Sequence, residues 1–494
     1  MKFSLILSLV WIATFASIGI ASGDERPNIL FILTDDQGYG DIGRHGHPLL
    51  KTPNLDRLYD ESVRFDNFYV SPSCSPTRAA LLTGRHEFRS GVTHTQQPRE
   101  HLHKDAVTLP QLLKESGYRT GFIGKWHLGG GKDYAPQYRG FDWTSTNQRG
   151  PFEHFDPLMI RNGKREKKTG FREDIFFDEA MTFIDEAGDD PFFCYLATYS
   201  PHAPLDAPEK DIAPFRGKVD DTQAAYLGMV ANLDENVGRI LKFLEERDLA
   251  KDTIVVFMND NGQTEGLDVY NAGMRGCKCT VWEGGTRAMS FWRWPGKWKP
   301  HQVDNLTAHL DVLPTLCDFA GVPIPGSLQP KLEGFSMRPL LESAAEQEWH
   351  DDRLLFHHVA RWPSGLAESH KYAMAGVRQG NYLLLQSHAC DNPECFKYSS
   401  QCVTLDLVRK GLKSITYTKE NAQFHWGVTP ADRWTLFHSK NDPACQHDLA
   451  KENPELVKSL AKAYENWWND IYPEMMEAGG DAGEPIARGA RKKH

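Results

Sequence analysis

The sequence has no excess of positive charge, no repeat and no second long hydrophobic run. Its 56 Lys and Arg residues are outnumbered by 66 Asp and Glu residues, giving a formal net charge of −10, which excludes a general nucleic-acid binder. No repeat period and no long low-complexity tract are present. The 494 residues, of which 40% are apolar, predict a globular protein with more than one domain and a large core.

The single long hydrophobic run lies at the N-terminus. Residues 1–22 combine an early Lys2, an apolar stretch and small residues near Ala21, which is typical of a secretory signal peptide. The alternative is an uncleaved membrane anchor. We expect cleavage and therefore no membrane span in the mature chain. Export would lead to the periplasm, the extracellular space or a lysosome-like compartment, depending on the host.

Cysteine is scarce, with nine residues in the chain, and export would place them in an oxidising compartment. The candidates for disulfide bonds cluster late in the chain: Cys390, Cys395, Cys402 and Cys445. Cys194 lies in an apolar strand pattern and Cys317 in an apolar helix pattern, so both are predicted to be core residues.

Short apolar runs alternate with helical patterns from residue 27 to 345. Strands are predicted at 28–33, 64–70, 120–124, 191–198 and 253–258, and helices at 52–62, 75–84, 108–117 and 221–247. Such alternation indicates parallel pairing. The predicted fold is α/β, with a large mixed, mostly parallel sheet sandwiched by helices and a smaller C-terminal α+β domain.

The pattern changes near residue 350. We predict a main catalytic domain at 26–350 and a smaller antiparallel-sheet domain at 351–476, in which residues 371–386 form a hairpin and residues 453–471 form an amphipathic helix. Residues 477–494 are rich in Gly, Ala and charge, and are predicted to be a flexible tail.

Polar residues follow four of the predicted strands. They are Asp35 and Asp36, Lys125 and His127, His202, and Asp260 with Asn261. Ligands bind where the carboxyl ends of parallel strands meet. Each group alone is weak evidence, because such residues are common in turns. Together the carboxylates would repel one another without a cation, and oxygen ligands favour Ca²⁺ or Mg²⁺ over zinc. The Lys and His residues would hold an anion and transfer protons.

Residues 71–85, SPSCSPTRAALLTGR, place Cys74 just before a predicted helix with Ser75 as N-cap and Gly84 past its end. A helix N-terminus binds anions and lowers the pKa of a thiol. Arg78, one turn further on, could hold an anion bidentately. The alternative is a disulfide-bonded loop cysteine, which is the commoner case in exported proteins.

Two segments resemble the signatures of the sulfatase family, a branch of the alkaline phosphatase superfamily. Residues 74–85 resemble C-x-P-S/T-R-x-x-x-L-T-G-R at every fixed place, and GYRTGFIGKWH at 117–127 resembles G-Y-x-T-x-x-x-G-K-x-x-H. The similarity runs over most of residues 26–345, through DDQGYGD, SPHAP, NDNG and GCKCTVWEGGTR.

This resemblance implies an arylsulfatase-like enzyme that hydrolyses a sulfate ester to an alcohol and inorganic sulfate. The substrate would be a sulfated small molecule or glycan, with a sulfated carbohydrate as our preferred interpretation. A formylglycine-generating maturation enzyme would oxidise Cys74 to formylglycine, whose hydrate would attack sulfur and then expel sulfate. The ligands of one Ca²⁺ would be Asp35, Asp36, Asp260 and Asn261, with residue 74 adding an oxygen.

The resemblance implies the remaining roles at matching positions. Arg78 would steady the hydrate, and Lys125 and Lys278 would bind the sulfate. His127 would take the proton whose loss releases sulfate, and His202 would bind the substrate and protonate or orient the leaving oxygen. Residues 283–287, EGGTR, look like a structural support.

Several points stay open. Cys277 and Cys279 flank Lys278, and as alternate strand residues they would face away from it, as core or local redox residues. A hydroxyl contact to the sulfate is expected from one of Thr144, Ser145 and Thr146. Segments 292–298 and 389–433 are candidates for shaping the substrate pocket, although the tryptophans of the first could equally be packing residues.

Two other functions compete with sulfate-ester hydrolysis. A phosphodiesterase or phosphonate monoester hydrolase of the same fold would have a Thr or Ser nucleophile and a two-metal, His-rich site. A non-catalytic carbohydrate-binding relative would lack some of the site residues, and none of them is missing from this sequence.

Overall fold

The computed structural model describes residues 26–345, 349–350, 352–362, 364–386 and 434–483. The predicted signal peptide, the candidate disulfide cysteines other than Cys445, and the 389–433 segment lie outside these residues. The strands of the described part are β1 (Asn28–Thr34), β2 (Val63–Phe65), β3 (Phe68–Tyr69), β4 (Arg119–Gly124), β5 (Trp143–Asn147), β6 (Leu158–Arg161), β7 (Lys164–Lys167), β8 (Phe192–Ala197), β9 (Thr253–Asn259), β10 (Ser290–Arg293), β11 (His301–Val303), β12 (Thr307–Ala308), β13 (Leu355–His358), β14 (Ala375–Gln379), β15 (Tyr382–Gln386) and β16 (Thr435–His438). Its α-helices are α1 (Pro53–Asp60), α2 (Cys74–Thr83), α3 (Leu109–Glu115), α4 (Arg172–Ala187), α5 (Glu209–Ile212), α6 (Asp221–Glu246), α7 (Glu283–Thr286), α8 (Val312–Phe319), α9 (Arg338–Glu342) and α10 (Pro454–Glu477).

A ten-stranded sheet organises the first part of the chain. Its order is β11-β2-β10-β9-β1-β8-β4-β5-β6-β7. The five strands from β9 to β5 are parallel to their neighbours in this group, whereas β10, β6 and β7 pair in antiparallel fashion. The predicted α/β fold with a large mixed, mostly parallel sheet is confirmed.

Strand β1 explains why helices cover both faces of this sheet. Successive side chains of a strand point to opposite faces, so Phe31 and Leu33 lie in one hydrophobic cluster and Leu30 and Ile32 lie in another. The first cluster includes side chains of α2, α3 and α8, and the second includes side chains of α1, α4 and α6. No helix within the described residues is long and apolar enough to cross a membrane.

A second, four-stranded antiparallel sheet has the order β13-β14-β15-β16. The predicted hairpin at 371–386 is its β14–β15 pair, and α10 packs against the sheet through Tyr464 and Trp468. Arg378 of β14 connects the small sheet to helix α7, which precedes β10 of the large sheet, because its buried guanidinium pairs with Glu283 and donates to Thr286 Oγ1 at 3.0 Å. The 283–287 motif therefore supports the junction between the sheets.

Three local predictions need correction. Segment 64–70 forms two short strands in different sheets, since β2 joins the large sheet and β3 pairs with β12. Helix α2 begins at Cys74 and is capped by Ser73, whose carbonyl accepts from the amide of Thr77 at 3.1 Å, so Ser75 lies inside the first turn. Cys445 is buried and free, although the late cysteines were candidates for disulfides. Cys194 and Cys317 are core residues, as predicted.

The end of the chain is ordered further than its composition indicates. Helix α10 continues to Glu477, and beyond it Gly480 accepts a hydrogen bond from Thr93 while Asp481 accepts one from Trp362 Nε1 at 2.8 Å. Within the tail predicted for 477–494, residues 477–483 therefore make defined contacts with the rest of the chain. Residues 484–494 lie outside the described part.

Candidate active site

The carboxyl edge of the parallel strands brings the predicted site residues together. Asp35 and Asp36 follow β1, Lys125 and His127 follow β4, His202 follows β8, and Asp260 and Asn261 follow β9. These four strands are neighbours in the order β9-β1-β8-β4. Because they are parallel, the segments after them leave the sheet on the same side. Helix α2 contributes Cys74 and Arg78, and the turn before α7 contributes Lys278.

Three buried carboxylates and Cys74 form the centre of the site. Ligand atoms of Asp35, Asp36, Asp260 and Cys74 lie within 4.8 Å of one another. The amide of Asp36 donates to Asp260 Oδ1 at 3.2 Å, and Cys74 Sγ lies 3.9 Å from Asp36 Oδ1. Burial, together with repulsion from Asp35, raises the pKa of Asp260 to about 7, as expected for like charges that share a site.

Two buried lysines oppose this negative charge. Lys125 Nζ lies 2.5 Å from Asp35 Oδ2, and Lys278 Nζ lies 2.6 Å from Asp36 Oδ1. Burial alone would raise the pKa of both carboxyls, but Lys125 holds the pKa of Asp35 well below its usual value and Lys278 lowers the pKa of Asp36. The two aspartates are therefore ionised and the two lysines remain cations.

Arg78 fixes the first turn of α2 against the strand ends. Its guanidinium donates to Asp260 Oδ2 at 2.8 Å and to the carbonyl of Lys125 at 2.7 Å. Cys74, at the start of the same helix, is buried, and burial raises the pKa of its thiol although Lys125 and Lys278 oppose the rise. The predicted lowering of this pKa is wrong, because the loss of water outweighs the helix N-terminus and the cations. The thiol is neutral at physiological pH.

Two oxygen atoms of the site have no hydrogen-bond donor. They are Asp35 Oδ1 and Asn261 Oδ1, and both are buried. The amide nitrogen of Asn261 donates to Asp36 Oδ1 at 2.9 Å, which leaves its oxygen as a free acceptor. Buried oxygens that lack a hydrogen-bond donor and lie beside Asp36 and Asp260 are a suitable ligand set for a hard divalent cation. The donor set of Asp35, Asp36, Asp260 and Asn261 therefore fits Ca²⁺ or Mg²⁺.

One ring nitrogen of His127 has hydrogen-bond acceptors beside it, and the other has no hydrogen-bond partner. Its Nε2 lies 3.2 Å from the carbonyl of Thr95 and 3.4 Å from Glu100 Oε2. Both partners are acceptors, so Nε2 carries a proton, and in the neutral ring Nδ1 then has a lone pair. That Nδ1 is buried and has no hydrogen-bond partner. Burial, with the charge of Lys125, lowers the pKa of His127, which keeps the ring neutral and able to accept a proton.

His202 lies at the more open side of the cluster. Its side chain is 28% exposed, and its Nε2 lies 3.8 Å from Asp36 Oδ2. The Nδ1 contacts the carbonyl of Ala203, so Nε2 is the nitrogen available to a ligand. Burial of the ring lowers the pKa of His202 to about 4, although Asp36 and Asp35 oppose this effect.

Four contributors to the site were given no role by the sequence-based prediction. Tyr199 lies under the site, with Lys125 Nζ 6.0 Å from its ring centre, and Tyr226 of α6 donates to the carbonyl of Asp36 at 3.1 Å. Thr95 and Glu100 hold His127. Only Tyr199, which directly follows the β8 region, carried a sequence signal; the other three come from distant segments without a motif.

Other predictions around the site have mixed outcomes. Cys277 and Cys279 are not alternate strand residues, because the amide of Thr280 bonds to the carbonyl of Cys277 at 3.1 Å and Cys279 has a φ of 62°. Both cysteines are buried and free in this turn. The candidate hydroxyl residues lie in β5, and the hydrogen bonds of the described residues connect none of them to the carboxylates. In segment 292–298, Trp292 and Trp298 belong to the hydrophobic core.

Comparisons with known proteins show to which family this chain belongs. A family model described as Sulfatase matches residues 27–322, and one described as N-sulphoglucosamine sulphohydrolase, C-terminal, matches residues 277–399. Arylsulfatase J of Mus musculus is 32% identical over 471 residues, covering 89% of this chain and 75% of that protein. N-acetylgalactosamine-6-sulfatase of Homo sapiens is 34% identical over 363 residues, covering 66% of this chain and 67% of that protein.

A solved structure is similar to this chain over most of its length. The crystal structure of Ps i-CgsB in complex with k-i-k-neocarrahexaose has a TM-score of 0.73 and 25% sequence identity, and covers 93% of this chain and 100% of that chain. The fold and the site define a hydrolase of anionic esters. The chain belongs to the sulfatase family, and it is a sulfuric ester hydrolase.

Proposed function

We propose that this protein hydrolyses sulfate esters of a carbohydrate, using a formylglycine made from Cys74 and one Ca²⁺ held by Asp35, Asp36, Asp260 and Asn261. The environment of Cys74 carries the proposal. Its thiol lies at the start of α2, beside three carboxylates and within the influence of two lysines. Because a neutral, buried thiol is a poor nucleophile, its placement here supports conversion to another group by an oxidising maturation enzyme.

The formylglycine would supply the two hydroxyls of an aldehyde hydrate, one for attack on sulfur and one for release of sulfate. The Ca²⁺ would supply Lewis acidity at the sulfate oxygens. The chain's own cations bind and orient the ester. Burial alone would lower the pKa of Lys125 and of Lys278, but Asp35 and Asp36 raise these pKa values, so both ammonium groups stay charged. Positioned positive charges of this kind stabilise the charge that develops on sulfate oxygens.

The two histidines divide the proton transfers. His127 would accept a proton at its buried, unpartnered Nδ1 during release of sulfate, while Thr95 and Glu100 keep Nε2 protonated. His202, the more exposed of the two side chains, would contact the leaving oxygen through Nε2. Arg78 would hold residue 74 in place through its bonds to Asp260 and Lys125.

The substrate class and the compartment are inferred from less direct evidence. A carbohydrate sulfate is supported by relatives that are named N-acetylgalactosamine-6-sulfatase and by the oligosaccharide complex of the structural neighbour. The layout of residues 1–22 supports export. The competing phosphodiester and phosphonate activities would require a second metal. The two candidate ligand clusters among the described residues share Asp36 and Cys74, and this single centre favours the sulfatase.

The test is sulfate release by the full-length protein co-produced with a formylglycine-generating enzyme. We expect hydrolysis of an aryl sulfate and of sulfated oligosaccharides, which chelation abolishes and CaCl₂ restores. Cys74→Ala should lose activity. Cys194→Ala, which changes another buried cysteine in β8, should keep it. Full activity of Cys74→Ala, or cleavage of phosphodiesters without sulfate release, would overturn the proposal.

A further inference from the structure

Two phenylalanines are exposed in one short segment beside the site. Of the described residues, only four large hydrophobic side chains are strongly exposed, and two of these are Phe152, at 75%, and Phe155, at 45%. Exposed apolar side chains that lie near a catalytic site are candidates for ligand binding. The segment 148–155, which carries both phenylalanines, is therefore a candidate binding surface.

The segment leaves the sheet at the same edge as the site. It follows the carboxyl end of β5, and β5 is the parallel neighbour of β4, with Ile123 paired with Ser145. Lys125 and His127 follow the carboxyl end of β4. The segment after β5, which carries Phe152, is therefore the neighbour of the segment after β4, which carries Lys125.

A buried arginine holds the segment in shape from below. Arg172 is fully buried, and its Nη1 donates to the carbonyls of Pro151 at 3.0 Å and of Gly150 at 3.4 Å. Its backbone amide also donates to the carbonyl of His154 at 2.7 Å. The exposure of Phe152 is therefore a built feature, because the backbone on both sides of it is fixed.

The same arginine connects the segment to the catalytic cluster. Its guanidinium carbon lies 4.8 Å from the ring centre of Tyr199, and Lys125 Nζ lies 6.0 Å from that ring. Tyr199 also begins the turn of His202, whose amide donates to the carbonyl of Tyr199 at 2.8 Å. The exposed segment, Arg172, Tyr199 and Lys125 thus form one packed path from the surface to the sulfate-binding groups.

Resting on the proposed function, we propose that Phe152 is a sugar-binding platform on which a pyranose ring next to the sulfated residue stacks. The sulfate is anchored in a buried cluster, so the rest of a glycan must leave the site over its rim. One face of a pyranose presents C–H groups, which pack well against an aromatic ring. Phe152 brings no polar group, and it would therefore recognise the face of the sugar and not its hydroxyl pattern.

The test compares Phe152→Ala, Phe152→Trp and Tyr138→Ala in the full-length protein. Tyr138 is a matched control, because it is 52% exposed but precedes β5. Kinetics are measured with an aryl sulfate and with the best substrate from a panel of carrageenan- and glycosaminoglycan-derived sulfated oligosaccharides. In Phe152→Ala, the ratio of kcat/KM for the oligosaccharide to that for the aryl sulfate should fall roughly 3- to 10-fold, mainly through KM.

Phe152→Trp should restore the ratio, and Tyr138→Ala should leave it unchanged. Equal losses on both substrates, or an unchanged ratio in Phe152→Ala, would overturn the platform. If the wild-type protein hydrolyses neither the aryl sulfate nor any oligosaccharide of the panel, the proposed function fails, and calorimetric titration with the panel oligosaccharide that the wild type binds most tightly then decides about the platform. Equal affinity of wild type and Phe152→Ala would refute it, and weaker binding by the variant would support it.

Discussion

Replacing Tyr226 by Phe removes one hydroxyl that supports the backbone of Asp36, a proposed Ca²⁺ ligand. The hydroxyl donates to the carbonyl of Asp36 at 3.1 Å and also contacts Asp41 Oδ2. Asp36 has a φ of 63°, and a left-handed conformation of this kind costs about 1–3 kcal/mol and persists only where the surroundings hold it. Tyr226 is therefore a positioning residue for the Asp36 carboxylate.

The charge state of Asp41 completes this network. A hydroxyl has one proton but here faces two acceptors, so both contacts are satisfied when Asp41 itself is protonated. Burial raises the pKa of Asp41 to about 7, which agrees with that arrangement. Tyr226→Phe would leave the carbonyl of Asp36 buried without this donor, at a cost of about 1–3 kcal/mol, whereas Asp41 Oδ2 keeps the amide of Gly38 at 2.7 Å.

We expect Ca²⁺ affinity to fall roughly 10- to 100-fold in Tyr226→Phe, the usual effect of removing an outer-shell partner of a metal ligand. Calorimetric titration of the purified protein with CaCl₂ measures it directly. Tyr270→Phe is the matched control, since Tyr270 donates to the carbonyl of His45 at 2.7 Å and contacts no proposed ligand. Equal Ca²⁺ affinities of the two variants would refute the positioning role.

Two further predictions concern stability. Arg378→Met leaves the buried Glu283 carboxylate without its cation. Urea titrations should therefore show a free energy of unfolding lowered by about 3–5 kcal/mol. A loss below about 1 kcal/mol would contradict the role of this ion pair at the junction. Burial lowers the pKa of His309 and that of His358 to about 3, so each is neutral in the folded protein. Because the unfolded chain binds these protons below about pH 6.5, stability should fall from pH 6.5 towards 4, by up to about 1.4 kcal/mol per pH unit for each histidine. Thermal melts across this range measure the slope, which His309→Gln should reduce; a flat profile would exclude the effect.

The strand framework was predictable because buried parallel strands are continuous apolar runs. NILFIL and TIVVFM mark β1 and β9 in this way, and the polar residues after them lie at one edge once the strands are parallel. The acidic cluster and the lysine beside it followed from that rule and from the resemblance. The strands and the polar residues that directly follow them could therefore be predicted from local sequence patterns.

The missing parts depend on packing between distant segments. Tyr226 lies on the buried face of α6, where its spacing cannot be distinguished from that of a core residue. Burial also reversed the predicted pKa shift of Cys74, because a helix start is visible in sequence whereas the exclusion of water is not. The hydrogen bonds from Arg172 that fix the backbone beside Phe152 join residues about twenty positions apart, and no sequence motif marks them.

The most direct test of the account is the mass of the peptide that contains residue 74. Trypsin cuts after Arg64 and Arg78, so residues 65–78 form one peptide of the active protein from its native host. If residue 74 is formylglycine, the mass of this peptide is lowered by the exchange of the thiol for an aldehyde, and a hydrazide reagent labels it. An unmodified cysteine that reacts with iodoacetamide, in protein that still releases sulfate, would contradict it.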